Sequence, residues 1–230
     1  MSDQAINDRY LRQLSIYNPN DRQQDSVTLI GCGGIGSFTA SGLAKLGVPN
    51  LTLIDPDEVE DHNIPNQLFH RMDVGQSKVS AVADYISDEF NNIDALAVSL
   101  PHEDVALEGL VISGLDSMQA RHDIWHECIR LKPRVTRYLD ARISGEFIIV
   151  YSVNPSDMND VRKYEEQALY DDDEAEDISC TARGIIDVGL QVSSLLVRMT
   201  RRHFNHDEIK NITMMNQESY VTTQGAWLDE

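Results

Sequence analysis

Apolar residues along the chain follow two rhythms. Short continuous runs read as strands buried on both faces: Val27 to Ile30, Leu51 to Ile54, "DALAVSL", "LEGLVISGLDS" ending at Asp116, "RVTRYLDA" and "GEFIIVYSV". Between them, apolar residues recur at helical spacing. Val79, Val82, Ile86 and Phe90 form one stripe, and Ile185, Val188, Val192, Leu195 and Met199 form another, each one face of a helix set against a core or a dimer partner. Further helices are predicted over Asp3 to Tyr17, from the glycine cluster after Ile30 to about Lys45, and over residues 117–131.

Strand and helix alternate to about residue 140, which calls for a parallel sheet with helices on both faces. The pattern then changes. "GEFIIVYSV" follows a tight turn at Ser144-Gly145 and is expected antiparallel to its predecessor, and "NITMMNQESYVTT" supplies edge strands. Residues from about 155 to 184 are polar, with six acids between Asp171 and Asp177, and read as an exposed, mobile crossover. The class is therefore α/β: a mostly parallel sheet flanked by helices, with antiparallel C-terminal strands, in a single domain over 1–230.

Charge narrows the partners. The formal net charge is −19, which argues against general binding to nucleic acid or to an anionic membrane. No run approaches the roughly 20 apolar residues of a membrane span, and the polar start "MSDQAINDRYLRQ" has no apolar signal core. The three cysteines, Cys32, Cys128 and Cys180, form no CxxC pair, so no structural zinc is expected, and a reducing cytoplasmic setting is. His122 and His126 are spaced i,i+4 but lack a third ligand.

The candidate chemistry begins at "GCGGIG". Gly31, Gly33 and Gly36 sit between a strand and a helix, where backbone N–H groups face an anion and glycine permits close approach of a phosphate. Asp55 ends the next strand, placed to accept ribose hydroxyls. These features fit NAD or ATP equally. Lys78 in "VGQSKV" and Asp116 in "SGLDSMQAR" tip the balance. Hydride transfer needs neither, whereas a triphosphate uses a cation against its charge and a carboxylate for magnesium. Lys78 read alone could be a solvated lysine at a helix start, and Asp116 could be the N-cap of the helix that follows it.

The chain resembles the ThiF/MoeB/HesA-like adenylyltransferases, relatives of the ubiquitin-activating enzymes. The resemblance is carried, in order, by "RYLRQ", "GCGGIG", "LTLIDPD", the Asn and Gln of "HNIPNQLFH", "VGQSKV", "GLDSMQAR" and "CTARGIIDVG". It implies a Rossmann-like fold and ATP-dependent activation of the C-terminal carboxylate of a ubiquitin-like or sulfur-carrier protein as an acyl-adenylate, with release of pyrophosphate. On this resemblance, Gly31, Gly33, Gly34 and Gly36 lie near the phosphates, Asp55 holds the ribose, and Asp57 sits beside the nucleotide. Asn63 and Gln67 line the site, Lys78 contacts the phosphates and Asp116 binds Mg²⁺. Arg12 would reach the triphosphate of a partner subunit, which implies a homodimer. Cys180 aligns with a cysteine that in some members receives the activated chain as a thioester or persulfide-linked species. A conjugating enzyme is then a further partner. A short peptide or a modified tRNA carboxylate is an alternative substrate, and the acidic surface disfavours the tRNA.

The chemistry is consistent with such a site. A carboxylate is already ionised at pH 7, so its attack on phosphorus needs no general base, and catalysis becomes positioning and charge stabilisation. One departure stands out. The family pattern N-x-x-R-Q reads "NIPNQ" here, with Asn66 in the arginine position. An arginine on a transferring phosphate is worth roughly 10³–10⁵ in rate in related systems. Either another cation compensates, for which Arg71 is the candidate, or the chain is a catalytically weakened ATP-binding scaffold. An NAD-dependent oxidoreductase is the remaining alternative.

Overall fold

The computed structural model describes residues 8–87, 91–101, 105–170 and 185–228. Eight strands form one sheet: β1 (Ser26–Ile30), β2 (Asn50–Ile54), β3 (Asn92–Leu96), β4 (Gly109–Ser113), β5 (Val135–Ser144), β6 (Phe147–Val153), β7 (Ile212–Asn216) and β8 (Val221–Gly225). Their spatial order is β3-β2-β1-β4-β5-β6-β7-β8. The first five are parallel and the last three add antiparallel. The α/β class, the parallel half and the antiparallel C-terminal strands are as the apolar pattern predicts.

Helices α1 (Gly36–Leu46), α2 (Lys78–Ile86), α3 (Met118–Ile124), α4 (Met158–Gln167) and α5 (Ile186–Phe204) cover the sheet. Alternate strand residues feed two cores, as the two-residue period of a strand dictates. Leu29, Leu53, Leu110, Ile112 and Leu139 join Leu43 of α1, Val79 and Val82 of α2, and Val192 and Leu196 of α5. Ile30, Ile54, Val111 and Tyr138 join Ile124 of α3, Val161 and Tyr164 of α4, and Trp227. α1 stops at Gly47, whose left-handed φ of +88° lets its N–H reach the carbonyls of Leu43 and Ala44.

Several expectations are corrected. In the predicted N-terminal helix, residues 8–10 are helical and residues 11–16 are turns. The predicted helix over 117–131 is shorter, with a π-turn at Trp125–Ile129. β4 ends at Ser113, so Asp116 lies in the loop beyond it. The helical stripe of α5 is core at Val188, Val192, Leu195 and Met199, but Ile185 is exposed at its N-cap. The polar stretch from about 155 opens with α4, whose capping Asp157 and buried Val161 and Tyr164 fix it to the sheet. Its remainder, residues 171–184, lies outside the described residues. Cys32 is fully buried, while Cys128 is only half-buried.

Candidate active site

β1 pairs with both β2 and β4, so the chain winds away from β1 in both directions. The loops after β1 and β4 therefore part at the C-terminal edge of the sheet, where open α/β sheets hold their ligands. Gly31 leaves β1 with φ +89°, and a Cβ there would lie 2.9 Å from the Gly114 carbonyl oxygen. A Cβ on Gly36 would lie 1.8 Å from the Gly31 carbonyl oxygen. These two glycines are packing requirements of the turn. Gly33 and Gly34 are less crowded, facing the Gln67 amide and the Asn66 carbonyl at 3.4 Å or more. Among the described residues, the N–H groups of Gly33, Gly34 and Ile35 take no hydrogen-bond acceptor within the chain. They sit at the N-terminus of α1, where the helix dipole favours an anion.

Asp55 closes one side. It is buried, its Oδ2 accepts from the Cys32 N–H at 2.6 Å and its Oδ1 from the Asp57 N–H at 2.8 Å. Burial raises its pKa, partly offset by those two N–H groups. The carboxylate thus shapes the glycine loop as well as facing the crevice. Lys78 is the first residue of α2, behind the N-cap Ser77. Its backbone N–H bonds the Asp57 carbonyl at 2.9 Å, and its Nζ lies 2.7 Å from Asp57 Oδ2. The lysine is buried and the aspartate exposed, so this is a cation held at the site's rim by a partner in water.

Residues 61–69 strap over the loop. Leu68 N–H donates to Ser37 Oγ at 3.1 Å, and Ser37 Oγ donates to the Gly33 carbonyl at 2.7 Å. Asn63 is buried and spent on the strap itself, its Oδ1 accepting from the Glu60 N–H at 2.9 Å. Asn66 Oδ1 and Gln67 Oε1 are buried without a partner. Two orphaned amide oxygens beside unpaired N–H groups are costly unless a ligand completes them. The N–H groups fit the oxygens of a phosphate, and the amide oxygens, which only accept, fit hydroxyl or amino donors of a nucleoside.

Asp116 is exposed beyond β4, and Ser117 rather than Asp116 caps α3 by accepting from the Ala120 N–H at 3.2 Å. Below this turn lies a cluster that sequence reading missed. Asp140 on β5 is wholly buried. It accepts from Arg121 Nε at 3.0 Å, from Arg142 Nε at 2.9 Å and Nη2 at 2.6 Å, and from the Tyr164 hydroxyl at 2.9 Å. Burial alone would raise its pKa, but the Arg142 and Arg121 guanidiniums outweigh this and hold the carboxyl below its usual range. Its signal in the sequence is "DAR", which places an acid and a base two apart on one face of a buried strand.

Two other expected residues, Arg12 and Arg71, are exposed. Gln13 Nε2 donates to the Leu46 carbonyl at 2.7 Å, so the segment bearing exposed Arg12 lies at the C-terminal end of α1. The 11 residues of α1 separate it from the glycine loop by about 16 Å. Arg71 is exposed in the 3₁₀ turn Arg71–Asp73. Cys180 lies outside the described residues. The rings of His122 and His126 lie 4.4 Å apart and are tilted by 50°, and among the described residues no group of three metal-ligating side chains converges. No helix among those residues is long and apolar enough to cross a membrane.

The model of the ThiF family matches residues 10–222. The chain belongs to the ThiF family. Among curated relatives of this ThiF-family chain, the molybdopterin-synthase adenylyltransferase of Escherichia coli (strain K12) is 29% identical over 161 residues, covering 65% of this chain and 64% of that protein. The adenylyltransferase and sulfurtransferase MOCS3 of Aedes aegypti is 27% identical over 151 residues, covering 63% of this chain and 34% of that protein. A crystal structure of E. coli MccB together with MccA-N7isoASN superposes with a TM-score of 0.75 at 16% identity, covering 99% of this chain and 74% of that one. The match spans 34%, 26% and 37% of the first three curated relatives.

Proposed function

We propose that this ThiF-family chain is an ATP-dependent adenylyltransferase. It activates the C-terminal carboxylate of a ubiquitin-like or sulfur-carrier protein as an acyl-adenylate and releases pyrophosphate. The observation that carries the reading is the convergence at one sheet edge of unpaired loop N–H groups, two orphaned amide oxygens, a buried lysine and an exposed aspartate. The names of the curated relatives, adenylyltransferases among them, support it.

Gly33 and Gly34 present their N–H groups to the phosphates. Asp55 faces the ribose, with Asp57 holding Lys78 Nζ towards the phosphates. Gln67 and Asn66 complete their hydrogen bonds on the nucleotide, and Asn63 braces the strap. Asp116 would help to hold the Mg²⁺ that accompanies ATP, which would offset the phosphate charge. A single protein carboxylate suffices there, because magnesium on a nucleotide is otherwise held by phosphates and water. The acyl carboxylate attacks the α-phosphorus as pyrophosphate leaves, and the protein supplies orientation and charge. Arg12, far from its own loop, acts on the second subunit of a homodimer. The Cys180 thiolate attacks the acyl-adenylate to form a thioester as AMP leaves, and a conjugating enzyme takes the chain onward. The setting is cytoplasmic.

ATP–pyrophosphate exchange tests this reading. Exchange is expected with a ubiquitin-like protein bearing a free C-terminus, and is lost in Asp116→Ala. The absence of exchange with every carboxyl partner, together with full function in Asp116→Ala, refutes it. A second reading rests on Asn66, a neutral amide where the family pattern has arginine: an ATP-binding scaffold with weakened chemistry. It predicts ATP binding without exchange. Under the first reading Arg71 is the compensating cation, and an unchanged rate in Arg71→Ala removes it from that role.

A further inference from the structure

Arg121 lies midway along the short helix α3, and an arginine side chain is ordinarily left in water. It is nonetheless buried, and its guanidinium is fully employed. Nε reaches Asp140 Oδ1 at 3.0 Å, Nη1 reaches the Ser117 carbonyl at 3.4 Å, and Nη2 reaches the carbonyls of Leu115 and, at 3.4 Å, Ala141. The carbonyls it holds on the loop side belong to the residues immediately before and after Asp116. Asp140 fixes the other end, and is itself fixed by Arg142, Tyr164 and Ser113. Asp116, by contrast, projects from the turn into solvent.

We propose that Arg121, oriented by the buried carboxylate of Asp140, is a positioning residue that holds the Leu115–Ser117 turn in the shape that presents Asp116 to the magnesium of the bound nucleotide. The inference rests on the role given above to Asp116. An exposed carboxylate on an unbraced turn loses orientation to chain entropy, whereas a planar fork that binds the carbonyls on both sides fixes the backbone from which it projects. Lysine cannot replace the fork, because one ammonium does not span Asp140 and the Leu115 carbonyl with the same directionality.

Magnesium and ATP alone serve as probes. ATP affinity is measured by calorimetry with magnesium and with EDTA, for the unsubstituted chain, Asp116→Asn, Arg121→Lys and Asp140→Asn. Arg121→Lys is expected to lose about tenfold of the magnesium-dependent gain in affinity, the effect of one misplaced charge-assisted contact, while its magnesium-free affinity is unchanged. Amide hydrogen exchange at residues 115–117 is expected to speed up in the same variant. If Arg121→Lys fails to fold, Asp140→Asn, which keeps the side-chain volume, gives the same two readings. A folded variant that retains the full magnesium gain overturns the positioning role while leaving Asp116 in place. A full gain in Asp116→Asn overturns the reading of Asp116 and this inference with it.

Discussion

Replacing Gly189 by alanine separates the architecture of the glycine loop from its chemistry. Gly189 lies in the first turn of α5, and a Cβ there would stand 2.7 Å from the Gly34 carbonyl oxygen. Ordinary carbon–oxygen contact begins near 3.4 Å, so helix or loop must yield by about 0.7 Å. The helix is poorly placed to move, because Ser193 Oγ donates to the Ile35 carbonyl at 2.9 Å and accepts from Thr39 Oγ1 at 3.1 Å. Alanine gains about 1 kcal/mol of helix propensity over glycine, and overpacking costs about 1–3 kcal/mol. Net destabilisation by urea unfolding is therefore expected between zero and about 2 kcal/mol. Nucleotide binding responds more sharply. Displacing the loop misaims at least one N–H group, and a charge-assisted hydrogen bond of about 1.5–3 kcal/mol corresponds to roughly a 10- to 100-fold weaker Kd for ATP. A folded Gly189→Ala chain that binds ATP with unchanged affinity would refute the claim that α5 sets the loop.

Lys78→Met is expected to weaken ATP binding by about tenfold or more while changing unfolding free energy by less than about 1 kcal/mol, because its partner Asp57 is exposed. Equal ATP titrations of the two proteins would remove Lys78 from the site. His203 provides a pH prediction. Burial first, then Arg137 and His206, lowers its pKa from 6.5 to about 4. The unfolded chain then binds the extra proton between those values, so this group's contribution to stability is full above pH 6.5 and is lost as pH falls towards 4, by roughly 1.4 kcal/mol per pH unit in that window. His203→Asn should flatten the slope of stability against pH between 6.5 and 4. An unaltered slope would show that His203 titrates normally.

What could be read from the sequence followed from where its physical signals are local. "VTLIGCGGIG" announces strand, tight turn and helix within one stretch, because chain reversal and phosphate approach demand glycine at fixed offsets. Ser77 and Lys78 lie at a helix start for equally local reasons. The signal failed where a residue's task is set by a distant neighbour. Tyr164 sits in a run rich in acids and amides, so α4 read as crossover, although its hydroxyl is bound to a carboxylate 24 residues earlier in the chain. Val188 and Ile185 share one helical stripe, yet only Val188 meets the core, since the helix begins after Ile185. Gly189 ends the stretch "CTARGIIDVG", and its reason, the Gly34 carbonyl, belongs to a distant part of the chain. Asp55 could be placed at the end of the second strand, but its task of accepting the Cys32 N–H needed the sheet to be assembled.

The bond from Ser193 to the Ile35 carbonyl spans 158 residues, and this bears on how the protein comes into being. Chains are made from the N-terminus and tend to fold as they emerge. The glycine-rich turn is thus synthesised well before the helix that braces it, with 158 residues between the two bonded positions. A growing chain carries the entire loop long before it can hold that loop in shape. Nucleotide capture should therefore be a late event in biogenesis, coming after β6 and α4 have been made, and a half-finished chain should have little purchase on ATP.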